Sequence, residues 1–293
     1  MDRRQALTLA LPLAGCSTAA GPRVGAKNFV EQDILGSLLA ESIRRHTTLR
    51  PELRLRLGGS LIAHQALLSK QLDLYPEYSG TALTANLKLP LPAASQDVNA
   101  LLARTYLERH QIVWGWPFGF SNTFAMVIRN QSSSVESLSQ AVASQPWRLG
   151  VGFEFEQRAD GWPAFRQAYP LKLRGSLVTM DLGLLFRALD ANQVDMIAAN
   201  STDPQLASGR FRVLEDDKHF FPPYDACVAV RQEALAQFPT LRSALAALAG
   251  RIDTSTMIRL NAAVALEKRT AESVATDFLN TFTRPRSAQW PSL

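Results

Sequence analysis

Gln71-Leu72-Asp73-Leu74 leading to Tyr78-Ser79, and Gln193-Val194-Asp195-Met196 leading to Asn200-Ser201, read as one short unit written twice, 122 residues apart. Just upstream of each, Leu57-Gly58-Gly59-Ser60-Leu61 is echoed by Leu173-Arg174-Gly175-Ser176-Leu177. That spacing is far beyond a solenoid period. It fits two similar α/β lobes in one chain; the bland alternative is chance likeness between two generic strand–helix–strand units.

Around these units short apolar strands alternate with amphipathic helices, the pattern of an α/β fold. In the first series Val24 to Ala26 is a strand. A helix follows, with Asn28 as its N-cap and Ile34, Leu35, Leu38, Leu39 and Ile43 on one face. Leu53 to Leu57 is a strand, Leu61 to Lys70 a helix, Leu72 to Tyr75 a strand and Asp97 to Arg109 a helix before the apolar run Ile112-Val113-Trp114. Ser132-Ser133-Ser134 is a surface linker or cap. The second series runs strand Arg148 to Phe153, helix Gly161 to Ala168, strand Lys172 to Arg174, helix Gly183 to Ala191 and strand Val194 to Ala198. The tail is helical, with Leu241, Leu245 and Leu248 on one stripe and Val274, Phe278 and Phe282 on another.

The bulk numbers agree with a folded chain. At 293 residues, 46% hydrophobic and 19% charged, it is too apolar for disorder and long enough for one large or two modest domains. Its two cysteines exclude a disulfide-stapled mini-fold and a four-cysteine zinc site. The +5 formal charge is scattered, with no basic run of the kind that binds nucleic acid. At the start, Arg3-Arg4, the apolar stretch Ala6 to Ala14 and then Leu13-Ala14-Gly15-Cys16 form a secretory signal over 1–15, too short to span a bilayer. The last four of these residues are similar to the lipobox of bacterial lipoproteins, which makes Cys16 the lipidation site and 16–22 a lipidated linker. Cys227 is left without a partner and reads as a small buried hydrophobe.

In open α/β sheets ligands bind beyond the carboxyl ends of the strands. The residues there are Lys27, Tyr78 and Thr81 in the first series, and Phe118 and Phe120 after Trp114-Gly115-Trp116. The second series supplies Arg158, Asn200 and Asp203, and Tyr224 closes Phe220-Phe221-Pro222-Pro223-Tyr224. No nucleophile elbow, phosphate loop or histidine pair at metal-ligand spacing accompanies them. Aromatic rings with isolated cations suit a zwitterion, since a quaternary ammonium donates no hydrogen bond and is held by ring faces. Lys27 just ahead of a helix is electrostatically odd, because a helix N-terminus favours anions. An anion gripped by both would resolve the conflict.

Several segments together resemble the glycine betaine/carnitine/choline-binding proteins of osmoprotectant ABC transporters. They are Gly25-Ala26-Lys27-Asn28-Phe29-Val30-Glu31-Gln32, Asp73-Leu74-Tyr75-Pro76-Glu77-Tyr78-Ser79-Gly80-Thr81, Gly119-Phe120-Ser121-Asn122-Thr123, Ser201-Thr202-Asp203 and Leu214-Glu215-Asp216-Asp217-Lys218-His219-Phe220-Phe221-Pro222-Pro223-Tyr224. The resemblance runs from about residue 23 to 282. It implies a two-lobed type II periplasmic-binding-protein fold with the ligand cleft between lobes, 23–116 plus 225–293 forming lobe 1 and 117–224 lobe 2. It also implies an aromatic cage of Tyr78, Phe120 and Tyr224 around a trimethylammonium head, with Lys27, Thr81 and Arg158 meeting a carboxylate. Asn200 stands where relatives commonly carry an aromatic residue, so another zwitterion or cation such as ergothioneine is the alternative ligand. Asp225 follows Tyr224 where an uncharged residue is more usual. The implied protein is a monomeric, non-enzymatic periplasmic receptor anchored by its lipid. It needs no cofactor or metal, binds no nucleic acid, and docks on a permease driven by an ATPase. An enzyme on the same frame and a module feeding a sensor are the rival classes.

Overall fold

The computed structural model describes residues 20–90, 97–130, 134–158, 161–221 and 224–282. Cys16 and the leader before it, Ser132-Ser133 and Pro222-Pro223 lie outside the described residues. The strands are β1 (Ala20–Gly25), β2 (Arg50–Arg54), β3 (Leu74–Tyr78), β4 (Ile112–Gly115), β5 (Phe124–Arg129), β6 (Leu149–Val151), β7 (Val178–Thr179), β8 (Met196–Asn200), β9 (Phe211–Val213) and β10 (Ala226–Arg231). They form two five-stranded sheets of identical plan, β2-β1-β3-β10-β4 and β7-β6-β8-β5-β9. In each, three parallel strands are followed by an antiparallel strand that has crossed from the other sheet's part of the chain. The doubled unit read from the sequence is β3 and β8, third in each sheet.

Both faces of each sheet are covered, as parallel sheets require. Along β10, Ala226, Val228 and Val230 enter one apolar cluster and Cys227 and Ala229 the other. Along β8, Met196 and Ala198 divide from Ile197 and Ala199 in the same way. This is the two-residue alternation of a strand carrying a core on each side. Cys227 is buried and free, and burial pushes its thiol far up, out of reach of deprotonation.

The helix after β1 runs Val30–His46 and fully buries Ile34, Leu35, Leu38, Leu39 and Ile43, the expected face. Its cap is Phe29 rather than Asn28, because the Asn28 amide is held by the Gly58 carbonyl at 3.1 Å. Glu31 and Asp33 in the first turn answer the helix dipole instead. Asp97 caps the Val98–His110 helix as a good N-cap should, accepting from the amides of Asn99 and Ala100. Other boundaries shift for tertiary reasons. β2 begins at Arg50, since its register with β1 pairs Val24 with Leu53 and Gly25 with Arg54. The edge strand expected at Lys172 to Arg174 is reduced to one bridge between Leu173 and Trp147; past Gly175, whose φ is +93°, the chain turns so that Val178–Thr179 pairs with β6. Among the described residues no helix is long and apolar enough to cross a membrane.

Candidate functional site

The carboxyl ends of β1, β3 and β8 meet where the chain passes between the sheets. One passage, residues 116–123, lies beside residues 224–225 of the other, and Ser121 and Asp225 form an antiparallel bridge. The Asn122 amide donates to the Tyr224 carbonyl at 3.0 Å and the Tyr224 amide to Ser121 Oγ at 2.7 Å. Ser79 joins from the end of β3: its amide donates to the Asp225 carbonyl at 3.0 Å and its hydroxyl accepts from the Asp225 amide at 2.9 Å. Ser201, just past β8, donates its amide to the Thr123 carbonyl at 2.9 Å. The Asp225 carboxylate points away from this lacing and accepts from Asn99 Nδ2 at 2.8 Å, which accounts for a charge at that position.

Tyr78, Phe118, Phe120 and Tyr224 all belong to one buried apolar cluster with Trp116, and Phe118 is the most enclosed of the four. Gly80 is needed beside them. A Cβ on residue 80 would lie 2.3 Å from the Tyr224 ring, so only glycine lets that ring pack on the turn Ser79–Thr81. Thr81, half-buried, closes that turn. From the second sheet Arg158 reaches over: its Nη2 donates to Tyr224 Oη at 2.9 Å, and its guanidinium carbon is 5.1 Å from the Phe124 ring centre and 5.8 Å from that of Tyr224. Asn200, half-buried at the end of β8, is the strand partner of Phe124.

Lys27 is buried, and its ammonium pairs with the Glu77 carboxylate, donates to Ser60 Oγ at 3.1 Å and stands 4.5 Å from the Tyr78 ring centre. The anion that its position ahead of a helix demands is thus supplied inside the protein, by Glu77. Tyr78 in turn donates its hydroxyl to Glu31 at 2.6 Å. Burial, then the charge of Glu31, raises the Tyr78 phenol well above its ordinary range, so it stays a donor. The structure therefore gathers Tyr78, Thr81, Phe118, Phe120, Tyr224 and Arg158 around the junction. Lys27 sits behind Tyr78 on its own counter-ion, and Asn200 lies beside Phe124 rather than within the Tyr78 cluster.

Strand-end reading misses four groups. Phe29 stacks on Tyr78 with centroids 6.3 Å apart, two residues beyond Lys27. Phe124 carries Arg158 from the antiparallel strand, and Glu31 and Asn261 come from helices. Asn261 Nδ2 donates both to Glu31 Oε2 at 2.8 Å and to the Thr202 carbonyl at 2.9 Å, across 230 residues of sequence in the first case. Asp203 next door has its carboxyl pushed up to about 7 by burial and, secondarily, by the charge of Glu31. Among the described residues no group of three histidine, cysteine or acidic side chains is placed to hold a metal.

Two α/β lobes of one plan, joined by laced crossings with rings and cations at the joint, are the frame of the type II periplasmic binding proteins. Within that class the chain belongs to the family described as the substrate-binding domain of ABC-type glycine betaine transport systems, whose pattern matches residues 23–281. It is 30% identical over 275 residues to the carnitine transport binding protein OpuCC of Listeria monocytogenes, covering 92% of this chain and 89% of that one. It is 32% identical over 261 residues to the ergothioneine transport permease/ergothioneine binding protein EgtU of Helicobacter pylori, covering 87% of this chain but only 46% of EgtU. The crystal structure of a glycine betaine/carnitine/choline ABC transporter protein superposes with a TM-score of 0.82 at 29% identity, covering 88% of this chain and 97% of that one.

Proposed function

We propose that the protein is the extracytoplasmic receptor of an ABC importer and that it captures a quaternary-ammonium solute of the glycine betaine, choline or carnitine kind. The observation that carries this reading is the treatment of cations at the junction. The Tyr78 ring holds an ammonium at 4.5 Å and the Tyr224 ring a guanidinium at 5.8 Å, so these ring faces already act as cation acceptors. In the proposed complex Tyr78, Phe120 and Tyr224 enclose the trimethylammonium head, with Phe118 supporting them from within the cluster. Arg158 and Thr81 meet a carboxylate, and Lys27, paired with Glu77, braces Tyr78 from behind. Lobe 1 is assigned 23–116 plus 225–293 and lobe 2 117–224. Closure by rotation about the laced crossings then buries the ligand, and the closed form is what a permease and its ATPase read. The protein binds and releases without chemistry and works as a monomer.

Isothermal titration of the ligand-free domain against glycine betaine, choline, carnitine and ergothioneine tests the reading. Micromolar or tighter binding of one of the first three is expected, and silence with all four overturns it. Dominant binding of ergothioneine supports a second reading, favoured by Asn200 in place of a cage ring and by the likeness to EgtU. The anchor is a separate claim: Cys16→Ser should abolish metabolic labelling with palmitate, and label retained in that variant refutes it.

A further inference from the structure

Glu31 is a buried acid of an unusual kind. The neighbouring acids each have a cation: Asp33 has Arg56, Asp73 has Arg23 and Arg231, Glu77 has Lys27. Among the described residues Glu31 has none within ion-pair distance. Its carboxylate is held by three neutral donors: Tyr78 Oη at 2.6 Å and Asn122 Nδ2 at 2.9 Å on Oε1, and Asn261 Nδ2 at 2.8 Å on Oε2. Burying a carboxylate without a counter-ion is costly, and these three hydrogen bonds together with the first turn of the Val30–His46 helix offset that cost. A phenol donating to a carboxylate in a low-dielectric site is polarised towards phenolate, which makes its ring face more negative. The ring so polarised is Tyr78, which already holds one ammonium at 4.5 Å. The field of Glu31 also reaches the second lobe, where it contributes to the raised Asp203 carboxyl.

We infer that Glu31 is a positioning residue that acts through the Tyr78 hydroxyl to set the ring's strength as a cation receptor, so that the site selects permanent positive charge over shape. The inference rests on the quaternary-ammonium reading and deepens it. Shape and charge separate cleanly in two probe pairs. Choline has the uncharged carbon isostere neohexanol, and glycine betaine has the anion of tert-butylacetic acid.

The test is titration of all four probes into wild type, Glu31→Gln, Tyr78→Phe and the double variant. Glu31→Gln should weaken the ammonium probe of each pair about five- to tenfold and its carbon isostere less than about twofold. Tyr78→Phe keeps the ring and removes the hydroxyl, so it should reproduce that loss, and the double variant should lose no more than either single. It also serves as the independent arm if Glu31→Gln fails to fold. A parallel fall for ammonium and isostere marks a merely structural role and overturns the inference, as does an unchanged ratio. Wild type that binds neither choline nor glycine betaine overturns this inference, whereas the quaternary-ammonium reading falls only if carnitine is silent as well.

Discussion

Beside the amino end of its central parallel strand each lobe grips an aspartate between two arginines, Asp73 between Arg23 and Arg231 and Asp195 between Arg148 and Arg129. The forks are the same atom for atom. Arg23 donates its amide and Nε to one Asp73 oxygen and Nη2 to the other, and Arg148 does likewise to Asp195. At the opposite, carboxyl end of the same strands the lobes part company. In the first sheet the ring is on the parallel strand, Tyr78 facing Ala226; in the second it has moved to the antiparallel neighbour, Phe124 facing Asn200. The two units match where they hold the sheet together and differ at the end where the proposed ligand lies.

The clamps should differ in worth because they differ in depth: the Asp73 side chain is 4% exposed and that of Asp195 18%. Asp73→Ala, which strands two arginines, should cost about 3–5 kcal/mol by chemical denaturation, and Asp195→Ala about 1–2. Equal losses would break the comparison. At the other end of the strands, Tyr224→Ala and Arg158→Ala should each weaken ligand binding by at least about tenfold in titration calorimetry. Wild-type affinity in the Arg158 variant would remove the second lobe from the site. Asn200→Tyr restores a ring to the diverged strand end and should tighten a trimethylammonium ligand about threefold or more; a loss would mean that Asn200 hydrogen-bonds the ligand itself.

A further expected effect is in pH and is read as a slope. Asp203 keeps its proton to about 7 in the folded protein, whereas an unfolded aspartate loses it near 4. The folded state thus binds more protons across that interval, so stability falls as pH rises from about 4 to about 7 and then levels. Asp203→Asn should flatten this slope in thermal melts, and an unchanged slope would assign it elsewhere. The clamps run the other way. Arg148 holds Asp195 below the usual carboxylate range; burial raises Asp73, but the hydrogen bonds of Arg23 more than reverse it. Their stabilisation is full above about 4 and lost as pH falls through the lowered values.

The duplicated plan was readable because Asp73 and Asp195 recur with their flanking apolar residues, and a strand buried on both sides tolerates little else. The antiparallel strands were not. Phe124–Arg129 and Ala226–Arg231 have no hairpin turn beside them, since each returns from the other lobe to a partner far away in sequence. The site divided along the same line. Lys27, Tyr78 and Asn200 are reachable as candidates because they lie at or just past the ends of parallel strands, which deliver their residues to one edge. Glu31, Asn122 and Asn261 are held together only by the packed structure, and no local pattern in an asparagine on a tail helix announces a carboxylate 230 residues away. Glu77 is legible as a residue but not as the partner of Lys27, because that pairing is made only once β1 and β3 lie side by side.

Gly80 has a consequence for how this pocket could change. The seat of the Tyr224 ring is specified by a missing carbon, for a methyl group there would stand 2.3 Å from the ring. Adding that one carbon would force the ring to move without altering any aromatic residue. A receptor built this way can trade a small head group for a bulkier one in a single substitution outside its contact residues. In the proposed site the breadth of ligands accepted is therefore set by the turn after β3 as much as by the rings themselves.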